Sequence, residues 1–255
     1  MKIAIFTGAS SGMGREFVKQ ICAEEKFDEV WVIARRLERL KEIEAELEQP
    51  VRCISMDLTD PKSYDEYKAL LDEHRPEVKV LVNASGYGKF AAFQDIPLDE
   101  QLGMIDLNDK ALVAITYHTL PYLTKGSRVY QVDSLSSFQP VPYIGVYGAT
   151  KAFVLSFTRA VNMELRHTGI KMIAVCPGWV KTEFFDRAVT DDSVIQYYNK
   201  FFTSEEVVKR AIRDMKKGKD VSVCGFRVRM QVRLTKLLPH KLIMKIWCKQ
   251  QKKPC

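Results

Sequence analysis

Short apolar runs alternate with helical patterns along the chain. The runs lie at residues 2–6, 29–34, 51–55, 78–82, 127–132, 171–175 and 220–223. Each is β-branched and nearly continuous in its apolar character, as a strand covered on both faces should be. Between them, residues 15–24, 37–48, 62–73, 100–120 and 146–166 carry apolar positions at helical spacing. Repeated βα units of about 30 residues predict a doubly wound parallel sheet of about seven strands, with helices on both faces. Residues 102–105 and 180–202 are the least regular parts. With no Pro/Gly/Ser-rich linker, the expectation is one domain over residues 1–255.

The last stretch changes this picture. Residues 205–255 hold 15 Lys/Arg against 4 Asp/Glu, whereas the chain as a whole has a net charge of +7, and residues 226–253 contain no acid. Leu234, Leu237, Leu238, Leu242, Ile243, Ile246 and Trp247 follow helical spacing there, with Lys245 and Lys249 between them. Residues 226–255 therefore read as a basic C-terminal helical extension. Its apolar stripe packs either on the domain or a partner subunit, or on a membrane surface. No nucleic-acid-reading module accompanies the charge, so nucleic acid is not expected.

No run approaches the roughly 18 apolar residues of a membrane span. The first strand starts at once, leaving no room for a signal peptide. The six cysteines form no C-x-x-C pair, and most lie in apolar stretches as reduced thiols would. A cytoplasmic protein without a metal site is expected.

The first run leads into Thr7-Gly8-Ala9-Ser10-Ser11-Gly12-Met13-Gly14. Glycines there let the backbone turn sharply and approach a phosphate, and the free N–H groups of a helix start attract anions. The second run ends in Arg35-Arg36, where an acid would hold a free ribose 2′-hydroxyl. Cations suit a 2′-phosphate, so NADP(H) is favoured over NAD, with Arg35 the better placed.

Tyr147 and Lys151 stand four residues apart at the start of a helix, on one face. Bringing a phenol from about 10 to about 7 takes roughly 4 kcal/mol. A cation at about 4 Å supplies about 1 kcal/mol in water and about 4 at an effective dielectric of 20. The pair matters only in a covered cleft. Ser134 ends the preceding run, 13 residues before Tyr147, and Asn108 lies in the helix before that run. Tyr143 lacks a lysine four residues on.

With these residues together, the chain resembles the short-chain dehydrogenase/reductase family over about residues 2–190. Residues 7–14 look like its cofactor loop, with Gly8, Ser10, Ser11, Gly12, Met13 and Gly14 as contacts. Asp57 and Leu58 look like its adenine contacts. Asn83-Ala84-Ser85-Gly86 is similar to its N-N-A-G motif, and Pro177-Gly178-Trp179-Val180-Lys181-Thr182 to its P-G-x-V-x-T segment. Asn108, Ser134, Tyr147 and Lys151 match its catalytic tetrad. Arg35-Arg36 is similar to NADP-preferring members, and residues 136–152 to poorly characterised bacterial reductases. The departure is Ala84-Ser85, which removes an amide that would tie neighbouring strands.

The resemblance implies a Rossmann-type fold and hydride transfer between NADP(H) and a carbonyl carbon. It implies that Ser134 holds the substrate oxygen and Tyr147 exchanges the proton. Lys151 would acidify Tyr147 and hold the nicotinamide ribose, Asn108 would anchor a water behind it, and Thr182 would fix the carboxamide. It also implies a homodimer or homotetramer. Tyr87, Phe90, Phe93, Tyr143, Trp179, Phe184, Phe185, Tyr197 and Tyr198 suggest a bulky apolar small-molecule carbonyl or alcohol. A non-catalytic NADP-binding sensor or docking protein and a membrane-peripheral reductase of lipid-derived substrates stay open as alternatives.

Overall fold

The computed structural model describes residues 1–189 and 194–254. Its first half alternates β1 (Lys2–Thr7), α1 (Gly12–Glu24), β2 (Glu29–Ala34), α2 (Leu37–Glu46), β3 (Val51–Ser55), α3 (Lys62–His74) and β4 (Glu77–Asn83). There follow α4 (Leu98–Ile105), α5 (Ala111–Thr119), β5 (Leu123–Val132), α6 (Gly145–Glu164) and β6 (Lys171–Val175). The last part holds β7 (Trp179–Val180), α7 (Phe184–Ala188), β8 (Phe201–Phe202), α8 (Ser204–Lys216), β9 (Val221–Ser222), α9 (Phe226–Thr235) and α10 (His240–Gln250).

Seven strands form one parallel sheet in the order β3-β2-β1-β4-β5-β6-β9, the doubly wound Rossmann-type architecture expected. The alternation of side chains along each strand explains its two-sided burial. In β1, Ala4 and Phe6 join the core beneath α1 and α8, while Ile3 and Ile5 join the core beneath α3 and α5. In β2, Val30 and Val32 face the first core and Trp31 and Ile33 the second. Each fully buried side chain of this size contributes about 1.5–3 kcal/mol. The chain winds outward from β1 to β3 and then returns to β4, so the sheet splits at the carboxyl ends of β1 and β4. A crevice opens at such a switch point.

Three details depart from the sequence pattern. The single helix expected over residues 100–120 is two, α4 and α5, joined by a π-helical turn at Asp106–Lys110. Residues 102–105, expected to be irregular, belong to α4. The seventh strand shrinks to two residues, paired only through Ala174 with Val221 and Val175 with Ser222. A short edge strand offers little for another chain to pair with. The irregular stretch 180–202 forms β7, α7 and β8, and residues 190–193 of it lie outside the described residues.

The C-terminal extension packs on the rest of the protein. Trp247 Nε1 donates to the Pro142 carbonyl at 3.0 Å. The buried Gln251 accepts from the Gln196 and Tyr197 amides at 2.8 and 3.0 Å and donates to the Tyr197 carbonyl at 3.1 Å. Cys22, Cys53, Cys176 and Cys224 are free thiols, as expected; Cys248 is disulfide-bonded, and Cys255 lies outside the described residues. Among the described residues no helix is long and apolar enough to cross a membrane.

Candidate active site

A cavity of about 810 Å³ occupies the crevice at the carboxyl edge of the sheet. Its first wall is the loop between β1 and α1. Gly8 and Gly12 have positive φ values of 64° and 53°, which a side chain would strain. A Cβ on Gly8 would come within 2.7 Å of the Ala84 backbone, and one on Gly14 within 2.1 Å of the Gly8 carbonyl. The loop and the start of α1 are therefore packed backbone on backbone. Gly12 faces Thr182 across the cleft, where an added Cβ would lie 3.4 Å from the threonine methyl. The cradle fits a pyrophosphate: narrow, glycine-lined and set at a helix N-terminus.

The two arginines sit at the outer end. Arg36 donates to Ser10 Oγ at 3.2 Å and to Glu183 Oε2 at 3.1 Å, joining the glycine loop to the segment after β7. Arg35, the residue favoured by its place in the sequence, is more loosely held, with Nη1 3.9 Å from Asp57 Oδ2. Burial pushes the Asp57 carboxyl up, but hydrogen bonds from Thr59 and the charge of Arg35 outweigh it and leave the group below its ordinary range. Leu58, Ala84, Gly86, Pro177, Gly178 and Val180 also line the cavity.

At the inner end, Ser134, Tyr147 and Lys151 line the same cavity. Ser134 follows β5 directly, and its Oγ accepts from the Ser136 amide at 3.2 Å, which fixes the turn. Tyr147 lies in the first turn of α6, its ring against Phe90 and Phe184 at centroid distances of 5.6 and 5.5 Å. Lys151 Nζ donates to the Val132 carbonyl at 2.9 Å and lies 5.8 Å from the Tyr147 ring centroid. Burial pushes the Tyr147 phenol above its ordinary value, against a hydrogen bond from Ser134 and with the charge of Asp133 acting in the same sense as burial. Burial lowers Lys151, opposed by Asp133 and Asp109.

This departs from the expectation of an acidified phenol. In the chain alone the cost of desolvating a phenolate, with the charge of Asp133 beside it, outweighs the hydrogen bond from Ser134, so Tyr147 is a neutral hydroxyl at physiological pH. Such a group is poised to give a proton.

Residues 2–193 match the family model described as short chain dehydrogenase. The chain belongs to the short-chain dehydrogenase family. It is an oxidoreductase, similar to an uncharacterized oxidoreductase of Staphylococcus epidermidis, 32% identical over 183 residues, 71% of this chain and 79% of that protein. It is also similar to sulfoacetaldehyde reductase 2 of Chromohalobacter salexigens, 36% identical over 191 residues, 71% of this chain and 74% of that protein. Among solved structures it resembles the closed form of a serine dehydrogenase complexed with NADP+, at a TM-score of 0.75 and 25% identity, covering 87% of this chain and 93% of the other.

Two residues of this short-chain dehydrogenase lie behind the cavity rather than in its wall. Asn83 points away, donating to Thr116 Oγ1 at 3.0 Å. Asn108 sits in the π-turn and clamps Tyr87, accepting from its amide at 3.0 Å and donating to its carbonyl at 2.9 Å. Its other amide hydrogen goes to Thr150 Oγ1 at 3.0 Å. The side chain of Asn108 is thus engaged by the protein, and both it and Lys151 approach Gly86, where a Cβ would lie 2.9 Å from Asn108 Oδ1 and 3.6 Å from Lys151 Nζ. The amide missing at Ala84 is replaced by Thr7, whose hydroxyl accepts from the Ala84 and Ser85 amides at 3.2 and 3.3 Å.

Other contributors carried no signal in the sequence. Gly88 lies flat against the site: a Cβ there would come within 2.9 Å of Tyr147, 3.0 Å of Phe184 and 3.1 Å of Phe90. The buried Asp133 and the half-buried Asp109 lie in the field of Lys151, each carboxyl pushed up to about 7 by desolvation. Of the nine aromatics named from the sequence, Tyr87, Phe90, Trp179, Phe184, Phe185 and Tyr197 line the cavity, while Phe93 is exposed and Tyr143 and Tyr198 pack behind. Trp247 of α10 completes the wall, stacked on Trp179 at 6.5 Å.

Proposed function

We propose that the protein is an NADPH-dependent reductase that interconverts a carbonyl and an alcohol by hydride transfer, on a bulky apolar substrate. The observation that carries this reading is that the glycine cradle and the Ser134, Tyr147 and Lys151 side chains open into one cavity. NADP(H), when bound, supplies the hydride. The cradle of Gly8, Ser10, Ser11, Gly12, Met13 and Gly14 takes the pyrophosphate, Arg35 and Arg36 the 2′-phosphate, and Asp57 and Leu58 the adenine. The serine dehydrogenase complexed with NADP+ supports this choice of cofactor. Ala84, Gly86, Pro177, Gly178, Val180 and Thr182 border the nicotinamide end.

Ser134 holds the substrate oxygen by a hydrogen bond that strengthens as charge develops on it. Tyr147, neutral in its buried setting, donates the proton to that oxygen. Lys151 holds the ribose hydroxyls and stabilises the phenolate once the proton has left. The aromatic lining of the inner end supports an apolar substrate. The relative named for sulfoacetaldehyde acts on a small charged one, so the substrate is read from this cavity alone.

The proposal includes one domain over residues 1–255, cytoplasmic placement and a homodimer or homotetramer. The four free thiols support the placement, and the disulfide at Cys248 weighs against it. Leu102, Ile105, Tyr117, Phe153 and Met163, exposed on α4, α5 and α6, support assembly through that side of the molecule. The test is NADPH consumption across ketones, aldehydes and hydroxysteroids, with NADH in parallel. The expected result is turnover of apolar ketones with NADPH favoured at least about tenfold. NADPH binding without consumption of any carbonyl would instead favour a sensor.

A further inference from the structure

We propose that α9 and α10 form a docking surface for an anionic lipid bilayer, placed at the rim of the cavity. Each helix has two apolar faces. Val228 and Thr235 of α9 and Ile243 and Cys248 of α10 are buried against the protein. A second row faces outward. Phe226, Met230, Leu234 and Leu237 succeed one another at helical spacing and are 70%, 38%, 52% and 80% exposed. Leu242 and Ile246, one turn apart on α10, are each 45% exposed.

Cations border this row. Arg227, Arg233, Lys236, Lys241, Lys245 and Lys249 are all exposed. Residues 226–253 contain no acid, and among the described residues none of these six takes part in a salt bridge, although ion pairs are frequent elsewhere on the surface. Exposed large apolar side chains flanked by cations that have no acidic partner among the described residues match the two layers of an anionic membrane surface: acyl chains below and headgroup phosphates above.

The charge also selects among occupants. A symmetric contact with a second copy would set this face against itself, cations against cations. A nucleic-acid backbone would satisfy the cations but leave Phe226, Leu237 and Leu242 facing phosphate and water. Leu234, Leu238 and Ile246 both line the cavity and reach solvent, so the cavity opens beside the docking row.

The experiment is sedimentation of the full chain with phosphatidylcholine vesicles and with vesicles containing phosphatidylglycerol, at low and high salt. No cofactor or turnover enters this readout, so it stands or falls apart from the reductase reading. Binding to the anionic vesicles alone, weakened by salt, is expected. Both Leu237→Glu/Leu242→Glu and Lys241→Glu/Lys245→Glu should reduce it at least about tenfold. None of the four residues lines the cavity, and NADPH affinity and thermal melting should not change. Three results overturn the proposal: no vesicle binding by the wild type, equal binding to neutral vesicles, or a wild-type dimer that Leu237→Glu/Leu242→Glu separates. Binding of duplex DNA in place of vesicles does the same.

Discussion

At the nucleotide end of the cavity the wall is backbone: Gly8 and Gly14 are pressed against other main-chain atoms with no space for a side chain, and Gly12 holds a positive φ of 53° that a side chain would strain. At the substrate end the wall is rings, with Phe90, the neighbouring Trp179 and Phe184, and Trp247 brought together from three segments far apart in the chain. A backbone-built surface recognises what every dinucleotide shares and tolerates almost no substitution. A ring-built surface is set by packing, which permits exchange and so can change substrate without disturbing the cofactor.

Substitutions at the two ends should therefore fail differently. The largest effect is expected from Gly14→Ala, because its Cβ would lie 2.1 Å from the Gly8 carbonyl. Relief requires moving the loop, at a cost of about 3 kcal/mol or more, and NADPH binding should be lost with it. Thermal melting and a fluorescence titration check both. Gly88→Ala is the matched change at the ring-built end, pushing on Tyr147, Phe184 and Phe90. Misplacing the phenol should lower turnover about 100-fold, with NADPH affinity unchanged within about twofold. Equal losses of affinity in the two variants would remove the distinction.

Arg36→Ala tests the rim of the nucleotide end. Losing a charge-assisted contact should weaken NADPH about tenfold and leave NADH unaffected, read by titrating both cofactors. A separate effect, on stability rather than on binding, concerns Asp133, which accepts from Cys176 Sγ at 3.2 Å and is pushed up to about 7 by burial, against the charge of Lys151. A carboxyl raised on folding holds its proton more tightly in the folded state. Its stabilising contribution is complete below the unfolded value and is lost as pH rises through about 7. Relative to Asp133→Asn, the wild type should therefore lose stability between about pH 4 and pH 7, by an amount on the order of a few kcal/mol. Urea denaturation at stepped pH measures the difference, and a slope of the opposite sign would contradict the burial of an uncompensated carboxyl.

The same contrast explains what the sequence made legible. The strands were readable because burial on both faces demands unbroken apolar runs, and the glycine loop because φ > 0 and close approach demand glycine. Tyr147 and Lys151 were readable because one helix fixes their spacing. Asn108 was placed in a helix, but the extra residue of the π-turn and its clamp on Tyr87 leave no periodic mark. Asn83 occupies the strand end expected of it, yet its side chain turns toward Thr116, a choice made by packing. The apolar stripe of α10 was visible, whereas its contact with Pro142 and Trp179 depends on residues about 70 to 105 positions away. Gly88, Asp109 and Asp133 act on Tyr147 or Lys151 only through the folded geometry.

The phenol of Tyr147 is the most exposed point of this reading, and Tyr147→Phe tests it with one atom removed. NADPH affinity measured by fluorescence should stay within about twofold, because the cradle is backbone, while turnover of the best ketone should fall about 1,000-fold or more. Turnover near that of the wild type, with affinity intact, would show that the proton comes from elsewhere.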